Sequence, residues 1–281
     1  MKIKLGKNAY GKNAVNFSKI IRRDGYHEFR QVSVDISLAG DFESAHLSGD
    51  NSKILATDTQ KNTVFALAKE NFNASIEEFG VYLAGYFFSN NEQVTAVNIQ
   101  MTEHLYSRIV TNTSPHPHAF ISSGGEKHTA FIVKNTAGVI VNAGINDLLI
   151  LKTTDSGFAN FIKERFTTLH ETNERILATQ CKASWTYYST DIDFTSHYIN
   201  ARRMMLETFA THKSLSLQQT VYAMGEAVLQ MDQEIKEISF KMPNKHHILF
   251  NLEQFGMENN NEIFMATDEP YGYITATIER E

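Results

Sequence analysis

An asparagine and a histidine near the C-terminus have the type and spacing to do chemistry. The stretch reads Lys-Met-Pro-Asn-Lys-His-His over residues 241–247. Because side chains alternate between the faces of an extended strand, Asn244 and His246 share one face, where an amide and an imidazole can orient a small polar ligand and transfer protons. Pro243 cannot donate to a sheet, so it predicts the start of a strand. Taken alone, the stretch favours the plainer interpretation of His246 as a hydrogen-bonded strand histidine.

Three further segments change that balance when they are set beside this one. They are Tyr-Gly-Lys at 10–12, Ala-Thr-Asp-Thr-Gln-Lys-Asn-Thr at 56–63, and Phe-Thr-Thr-Leu-His-Glu-Thr-Asn-Glu-Arg-Ile-Leu-Ala-Thr at 166–179. In this order and at this spacing, the four segments resemble cofactor-independent urate oxidase (uricase) of the bacterial type, over nearly the whole chain. The resemblance implies oxidation of urate by O2 and water to 5-hydroxyisourate and H2O2 in purine degradation, without metal or organic cofactor.

The resemblance also implies a set of residues that binds urate, a flat monoanion. Arg175 offers a planar fork for two acceptors, Phe158 a stacking face, and Gln218 an amide that donates and accepts. The backbone N–H of Leu217 adds a donor. Asn244, together with the catalytic residues below, completes the contacts to the ligand and to O2.

Residue type alone leaves plainer interpretations of this set open. Arg175 could be a surface cation on a helix, paired with Glu171 four residues earlier. Phe158 could belong to the core, as most phenylalanines do. Gln219 stands beside Gln218 and has the same chemistry, so only the match to the family distinguishes them.

The catalytic set implied by the resemblance is Lys12, Thr57 and His246. A proton leaves urate for Lys12 and is relayed through the hydroxyl of Thr57 and the imidazole of His246. A lysine does this near neutral pH only when burial or neighbouring positive charge lowers its pKa. Asn244 and Thr57 hold O2 and then the attacking water, while Asp58 fixes its loop or accepts from the ligand. Residue type alone leaves Lys12 as an ordinary solvated lysine.

Two alternatives to this function stay open. His116 and His118, with the pair His246 and His247, could form a three-histidine metal site. That site would suit a metal-dependent enzyme acting on a pterin or another purine-derived substrate in the same fold. The other alternative is a non-catalytic purine-binding module. His247 also stands where many relatives carry an aromatic residue. The chain has no GxGxxG, P-loop or thiolate pair that would indicate a bound cofactor.

Composition narrows the partners and the compartment. The net charge is −6 and no dense block of lysine and arginine occurs, so a nucleic-acid partner is not expected. No apolar run approaches the roughly 20 residues of a membrane-spanning helix. Cys181 is the only cysteine, which excludes an internal disulfide. With no secretory signal and no Ser-Lys-Leu ending, we expect a cytoplasmic protein without a membrane partner.

The elements that must position these residues repeat one plan twice, with antiparallel strands, a helix pair and further strands. The first half predicts strands at 14–23, 28–40, 93–109, 118–122 and 128–134, with helices at 59–69 and 75–88. The second half predicts strands at 138–142, 148–153, 179–188, 237–242, 247–252, 262–266 and 272–278, with helices at 194–211 and 216–230. This pattern is typical of an α+β protein, and no Gly-rich loop favours parallel βαβ units.

The family resemblance makes the fold more specific. It implies tandem tunnelling-fold (T-fold) domains, at residues 1–135 and 136–281, with antiparallel sheets and paired helices. In that fold the sheets close into a barrel only on oligomerisation. We therefore expect a homotetramer whose active sites lie at subunit interfaces, with urate and O2 as the small-molecule partners.

Overall fold

The chain forms two compact units. The structure is a computed structural model and describes residues 2–112 and 114–281. One unit comprises Met1–Gly144 and Thr186–Tyr198, and the other comprises Ile145–Trp185 and Ile199–Glu281. Both combine antiparallel strands with helices, so the predicted α+β class is confirmed. The division into tandem domains after residue 135 stays a prediction.

Four long antiparallel strands form the framework of the first unit. They are β1 (Tyr10–Arg23), β2 (Tyr26–Gly40), β3 (Val94–Thr111) and β4 (Ser114–Asn135). Each pairs with the next along the chain. The alternating apolar residues of β2 face the core and are at most 1% exposed: Val32, Val34, Ile36 and Leu38.

Helices cover one face of these strands. They are α2 (Thr57–Asn71) and α3 (Ile76–Ser89), and the short α1 (Glu43–Leu47), which buries none of its residues, precedes them in the chain. α2 contacts β1, and α3 contacts β3 and β4. The side chain of Ser75 accepts a hydrogen bond from the N–H of Glu78 at 3.1 Å and thereby caps α3.

The second unit has the same ingredients. β5 (Gly138–Lys152), β6 (Leu177–Tyr187) and α4 (Phe194–Thr211) each have residues in both units. The remaining elements are α5 (Leu217–Met231), β7 (Ile235–Leu249), β8 (Phe264–Thr267) and β9 (Tyr273–Glu279). β7 pairs antiparallel with both β8 and β9, and α5 contacts β7 and β9.

The predicted strand start at Pro243 is wrong. Pro243 lies inside β7, where it pairs with Tyr273 at the end of the ladder to β9, and the ladder to β8 begins at His246. A proline lacks only the N–H, and here one partner strand gives way to another. Its carbonyl remains an acceptor and receives a hydrogen bond from Thr179 Oγ1 at 2.8 Å.

Three long strands also replace segments that were predicted as shorter pieces. β4, β5 and β7 are each continuous where the sequence indicates two strands. In β4 the residues just before the predicted strand at 118–122, which include Pro115 and Pro117, belong to the strand, and Arg108 on β3 donates to the carbonyls of His116 at 3.3 Å and Pro117 at 2.8 Å. The Arg108 side chain thus ties two carbonyls of the proline-containing segment to the neighbouring strand.

Candidate active site

The residues predicted for catalysis in the first unit lie where the start of β1 meets the loop before α2. Tyr10 fastens the two together: its hydroxyl donates to the carbonyl of Leu55 at 3.2 Å and accepts from the Leu55 N–H at 2.8 Å. Lys12 follows on β1, and Thr57 is the first residue of α2. Lys12 is therefore close enough to act electrostatically on Asp58, the next residue of the helix.

β1 is irregular directly after Lys12. Its pairing with β2 shifts between Lys12 and Val15, and Ala14 lies at φ +55°, in the left-handed region. The N–H of Ala14 donates to Asp35 Oδ1 at 2.6 Å, outside the regular ladder. Bulges of this kind commonly re-aim a side chain beside an active site. Lys12 is half-buried, so it is not the fully solvated lysine of the plainer interpretation.

Asp58 is held by the first turn of its own helix. Its carboxylate accepts hydrogen bonds from Lys61 Nζ at 2.5 Å and from Asn62 Nδ2 at 3.0 Å. The hydrogen bond to Lys61 and the charge of Lys61 lower the pKa of Asp58, and the charge of Lys12 adds a smaller effect in the same direction. A carboxylate held ionised in this way suits a residue that fixes its loop better than a general base.

Arg175 and Phe158 lie together in the second unit. The guanidinium carbon of Arg175 is 5.3 Å from the centre of the Phe158 ring, and its Nε donates to Ser156 Oγ at 3.4 Å. Burial lowers the pKa of Arg175. Phe158 is itself fixed by two backbone hydrogen bonds with Thr172, of 2.7 and 3.0 Å. The result is a half-buried cation beside a held aromatic ring.

The plainer interpretations of these two residues do not hold. Arg175 lies outside every helix, so it has no helical partner four residues earlier. The carboxylate of Glu171 instead binds Lys163 at 2.9 Å. Phe158 is only half-buried, unlike the fully buried phenylalanines of the core.

The start of α5 distinguishes Gln218 from Gln219. Gln219 Oε1 accepts a hydrogen bond from the N–H of Leu215 at 3.0 Å, and the Ser216 side chain caps the helix. Gln218 is exposed and, within residues 2–112 and 114–281, its side chain makes no hydrogen bond. Leu217 is the first residue of α5, and N–H groups in a first helical turn have no partner within the helix. The Gln218 side chain is thus available to a ligand, while Leu217 itself is only 2% exposed.

Asn244 and His246 follow one another along β7. The N–H of Asn244 donates to the carbonyl of Gly272 at 2.8 Å, and His246 pairs with Thr267 of β8. The backbone is thereby fixed at both positions, while the two side chains remain half-buried.

One cavity of about 620 Å³ brings together three of the predicted site residues, Phe158, Arg175 and His246. Its volume falls within the roughly 300–1,000 Å³ typical of small-molecule sites. His247 and Leu169 also line it, so the cavity is not confined to the face of β7 that carries His246. Asn244 and Gln218 are not among the lining residues.

The histidines considered for metal binding are close in pairs. The rings of His116 and His118 are 4.5 Å apart, and His118 lies 6.0 Å from His27. In the part of the chain that the structure describes, no group of three or more histidine, cysteine, aspartate or glutamate side chains is arranged to hold a metal ion. The same residues contain no helix both long and apolar enough to cross a membrane.

The sequence motifs did not assign a role to two residues that hold the site. Tyr10 fastens the loop before α2, and Ser156, fully buried, accepts from Arg175. Tyr10 belongs to the matched segment at 10–12, whereas Ser156 lies two residues before Phe158, a residue that none of the four segments contains. Their positions were therefore visible in the sequence, but their hydrogen bonds were not.

A sequence profile of the uricase family matches residues 8–133 and 141–275. The chain belongs to the uricase family. The uricase of Arthrobacter globiformis is 43% identical over 280 residues, covering 100% of this chain and 91% of that protein. The uricase of Oryctolagus cuniculus is 35% identical over 282 residues, covering 98% of this chain and 94% of that protein.

Solved uricase structures agree with the fold. The crystal structure of the uricase from Arthrobacter globiformis aligns with a TM-score of 0.95 and covers 100% of this chain and 96% of that one. The urate oxidase of Bacillus sp. TB-90, at 22% identity, aligns with a TM-score of 0.86, covering 97% of this chain and 100% of that one. The predictions of a bacterial-type urate oxidase and of its fold class are confirmed.

Proposed function

We propose that this uricase-family chain oxidises urate with O2 and water to 5-hydroxyisourate and H2O2, without a metal or organic cofactor. The observation that carries the proposal is the cavity shared by Arg175, Phe158 and His246 in a member of this family. Urate requires each of these groups: a cation for its negative charge, a ring to stack on, and a group that transfers protons.

In this proposal the urate ring stacks on Phe158 while Arg175 binds two of its acceptors. Gln218 and the N–H of Leu217 bind the alternating donor and acceptor edge of the purine. The support is that Arg175 and Phe158 are already in contact, and that the Gln218 side chain, unlike that of Gln219, makes no hydrogen bond among the residues that the structure describes. A clamp formed before the ligand arrives avoids much of the ordering cost of binding.

The proposed chemistry begins with a proton leaving the urate monoanion for Lys12, from which it is relayed through the hydroxyl of Thr57 and the imidazole of His246. The deprotonated ring passes two electrons to O2, which takes up two protons and becomes H2O2. Water held by Asn244 and Thr57 then adds to the oxidised ring and gives 5-hydroxyisourate. Urate, O2 and H2O are thus balanced by 5-hydroxyisourate and H2O2. Asp58, bonded within its own helix, holds the Thr57 end of the relay.

We also propose a homotetramer of tandem T-fold domains, with residues 1–135 in one and 136–281 in the other. Each active site takes Lys12 and Thr57 from one protomer and the urate clamp from another. Among the described residues β1 pairs only with β2, so one edge of a 14-residue strand is open. An open edge of that length favours pairing with a second copy, and closure into a barrel removes it. One buried cysteine, Cys181, fits a cytoplasmic setting.

Oxygen uptake tests the function directly. Chelator-treated protein is given urate, and O2 consumption and H2O2 formation are followed together. We expect equimolar consumption of urate and O2 without added metal. Tight urate binding with no uptake would support a non-catalytic binding module. Uptake restored only by metal would support the metal-dependent alternative.

Co-expression of two inactive variants tests the shared site. Lys12→Met alone should lower turnover at least about a hundredfold, with urate binding near normal, because it removes a general base. Arg175→Ala alone should fail in binding. If two protomers share each site, a mixed two-fold pair has one site with both lesions and one with neither, which restores up to about half the activity. No recovery in the mixture would show that each site is built within one chain.

A further inference from the structure

α3 and α5 repeat one pattern of capping and burial. Both begin after a serine, Ser75 or Ser216, whose side chain accepts from the N–H three residues later, at 3.1 and 3.2 Å. Counted from the serine, both helices bury the residues at positions 1, 4, 5, 8, 9 and 12. Two positions break the match: at position 2 Glu77 is fully buried and Gln218 is exposed, and at position 13 Phe88 is half-buried and Leu229 is buried.

The strand after each helix continues the match. In both units the strand begins 19 positions after the capping serine. From their first residues, β3 and β7 both bury the residues 3, 5 and 7 places along. Nine places along stand Glu103 in β3 and Asn244 in β7. Glu77 therefore corresponds to Gln218, and Glu103 corresponds to Asn244.

The partner strands extend this correspondence to one more position. Glu103 pairs with His128 of β4. In the second unit the register between β7 and β9 leads to Gly272, whose carbonyl accepts from the N–H of Asn244 at 2.8 Å. Gly272 thus holds the place that His128 holds in the first unit. A Cβ at Gly272 would lie 3.8 Å from the Asn244 Cβ, on the same face of the sheet.

In the first unit an imidazole fills this place. Nε2 of His128 is 2.6 Å from Glu77 Oε1, its Nδ1 is 3.7 Å from Glu103 Oε2, and its ring stacks on Tyr198 with 3.7 Å between centroids. Arg30 holds Glu103 from the other side with two hydrogen bonds, of 2.5 and 2.7 Å. The protein's own side chain is here a small nitrogen heterocycle bound by two polar groups and stacked on an aromatic ring.

We propose that Gly272 determines ligand access in the second unit, because it leaves empty the volume that His128 fills in the first, so that a planar nitrogen heterocycle reaches Gln218 and Asn244. The identity of that heterocycle as urate rests on the proposed function. Space is the requirement at Gly272, not backbone freedom. Its φ lies outside the left-handed region, and an added Cβ would meet only ordinary contacts, at 3.8 and 3.9 Å.

Adding the missing side chain tests the proposal. Gly272→His restores the imidazole and should weaken urate binding at least about a hundredfold, because ring and ligand cannot share one volume. Gly272→Ala should bind urate at least about tenfold more tightly than Gly272→His does, because a methyl group fits there. Thr275→His places the same ring on the opposite face of β9 and should bind urate as the unmodified protein does. Urate dissociation constants and Tm are measured on the purified oligomer.

Two results would overturn the proposal. One is urate binding by folded Gly272→His within about threefold of the unmodified protein, a difference too small for a blocked site. The other is an equal loss in Gly272→Ala and Gly272→His, which would assign the glycine to the backbone. If Gly272→His does not fold, Gly272→Leu supplies similar bulk without a titrating ring, and the same two results apply to it.

A second experiment does not involve urate, so it separates this inference from the proposed function. His128→Gly removes the imidazole that lies between Glu77 and Glu103. Free imidazole added to that variant should bind in the resulting space and raise its Tm or its folded yield. The unmodified protein, whose place is filled, should not respond. If imidazole changed neither the Tm nor the folded yield of His128→Gly, the correspondence between the two units would be overturned. If the unmodified protein consumed no O2 with urate, that result would instead count against the proposed function alone.

Discussion

The two units use the same arrangement of a helix start and two strands in opposite ways. In the first, His128 lies between Glu77 and Glu103, and all three side chains are buried. In the second, the corresponding polar residues are the amides Gln218 and Asn244, beside a position with no side chain. A buried charge must be paired, whereas a ligand site must stay open until its ligand arrives. Neutral amides tolerate that open state better than two facing carboxylates do.

We call the first-unit group of Glu77, Glu103 and His128 the closed arrangement and its second-unit counterpart the open arrangement. In the closed arrangement the buried charges stabilise one another. Burial alone lowers the pKa of His128, but Glu77 and Glu103 outweigh it and raise that pKa to about 9. Burial alone raises the pKa of Glu103, but hydrogen bonds from His128 and Arg30 lower it to about 2. At neutral pH the imidazolium and the Glu103 carboxylate are therefore both charged. His128 therefore stabilises the first unit at the position where, in our proposal, Gly272 leaves space for a ligand in the second.

The largest expected effect comes from opening the closed arrangement. His128→Leu removes the cation and leaves two buried carboxylates, which should cost about 3–5 kcal/mol of first-unit stability. The measurement is hydrogen exchange of β3 and β4 amides, which reports this unit even if the oligomer unfolds in several steps. His104→Leu, a half-buried histidine outside any ion pair in the described residues, should cost under about 1 kcal/mol. Equal costs would mean that the ion pairs contribute nothing.

Removing the cation of the open arrangement should affect binding instead of stability. Arg175→Ala should weaken urate binding by about 3 kcal/mol, because a charged hydrogen-bonding group leaves a partly desolvated site. Arg165→Ala is a matched control, since Arg165 also lies over an aromatic ring, Phe166, at 5.1 Å, but is exposed. Titration calorimetry with urate compares the two. Unchanged affinity in Arg175→Ala would remove this residue from the clamp.

The closed arrangement also predicts a pH window. The folded-state pKa of His128, about 9, exceeds its ordinary 6.5, so its contribution is complete below pH 6.5 and is lost as pH rises through 9. Glu103 acts in the opposite sense: its contribution is complete above pH 4.5 and is lost as pH falls through 2. The stability difference between the unmodified protein and His128→Leu should therefore shrink by up to about 3 kcal/mol between pH 6.5 and 9.5. A constant difference would contradict the assignment of a charged His128.

Much of this fold was predictable from local patterns. The apolar alternation of β2, the serine cap of α3 and the extent of α4 at 194–211 all follow from the sequence. The continuity of β4 and β7 does not follow from the sequence, because the prolines within each strand locally indicate a break. The bonds that hold these segments come from outside them: Arg108 lies on the preceding strand, and Thr179 is 64 residues before Pro243. A local pattern cannot contain them.

The candidate site divides in the same way. Matched segments identified residues whose chemistry is their own, such as Arg175 and His246. They could not identify Gly272, which acts through the side chain it lacks, or Glu77, whose role depends on an imidazole about 50 residues away. The repeated Ser-x-Glu and Ser-x-Gln at the starts of α3 and α5 was a signal in the sequence. It acquires meaning only once burial shows which positions correspond.

The smallest expected effect tests that correspondence at single-residue resolution. Gln218→Ala should weaken urate binding by about 1–1.5 kcal/mol, the usual scale for one neutral hydrogen bond, with little change in stability. Gln219→Ala should do the reverse: it leaves the Leu215 N–H without its acceptor, so stability falls by about 1 kcal/mol while urate affinity is unchanged. Calorimetry and Tm on the two variants give the comparison. If Gln219→Ala were the variant that lost affinity, the ligand-facing residue would be one position further along α5. Glu77 would then correspond to a residue that faces away from urate, and the match between the closed and open units would fail.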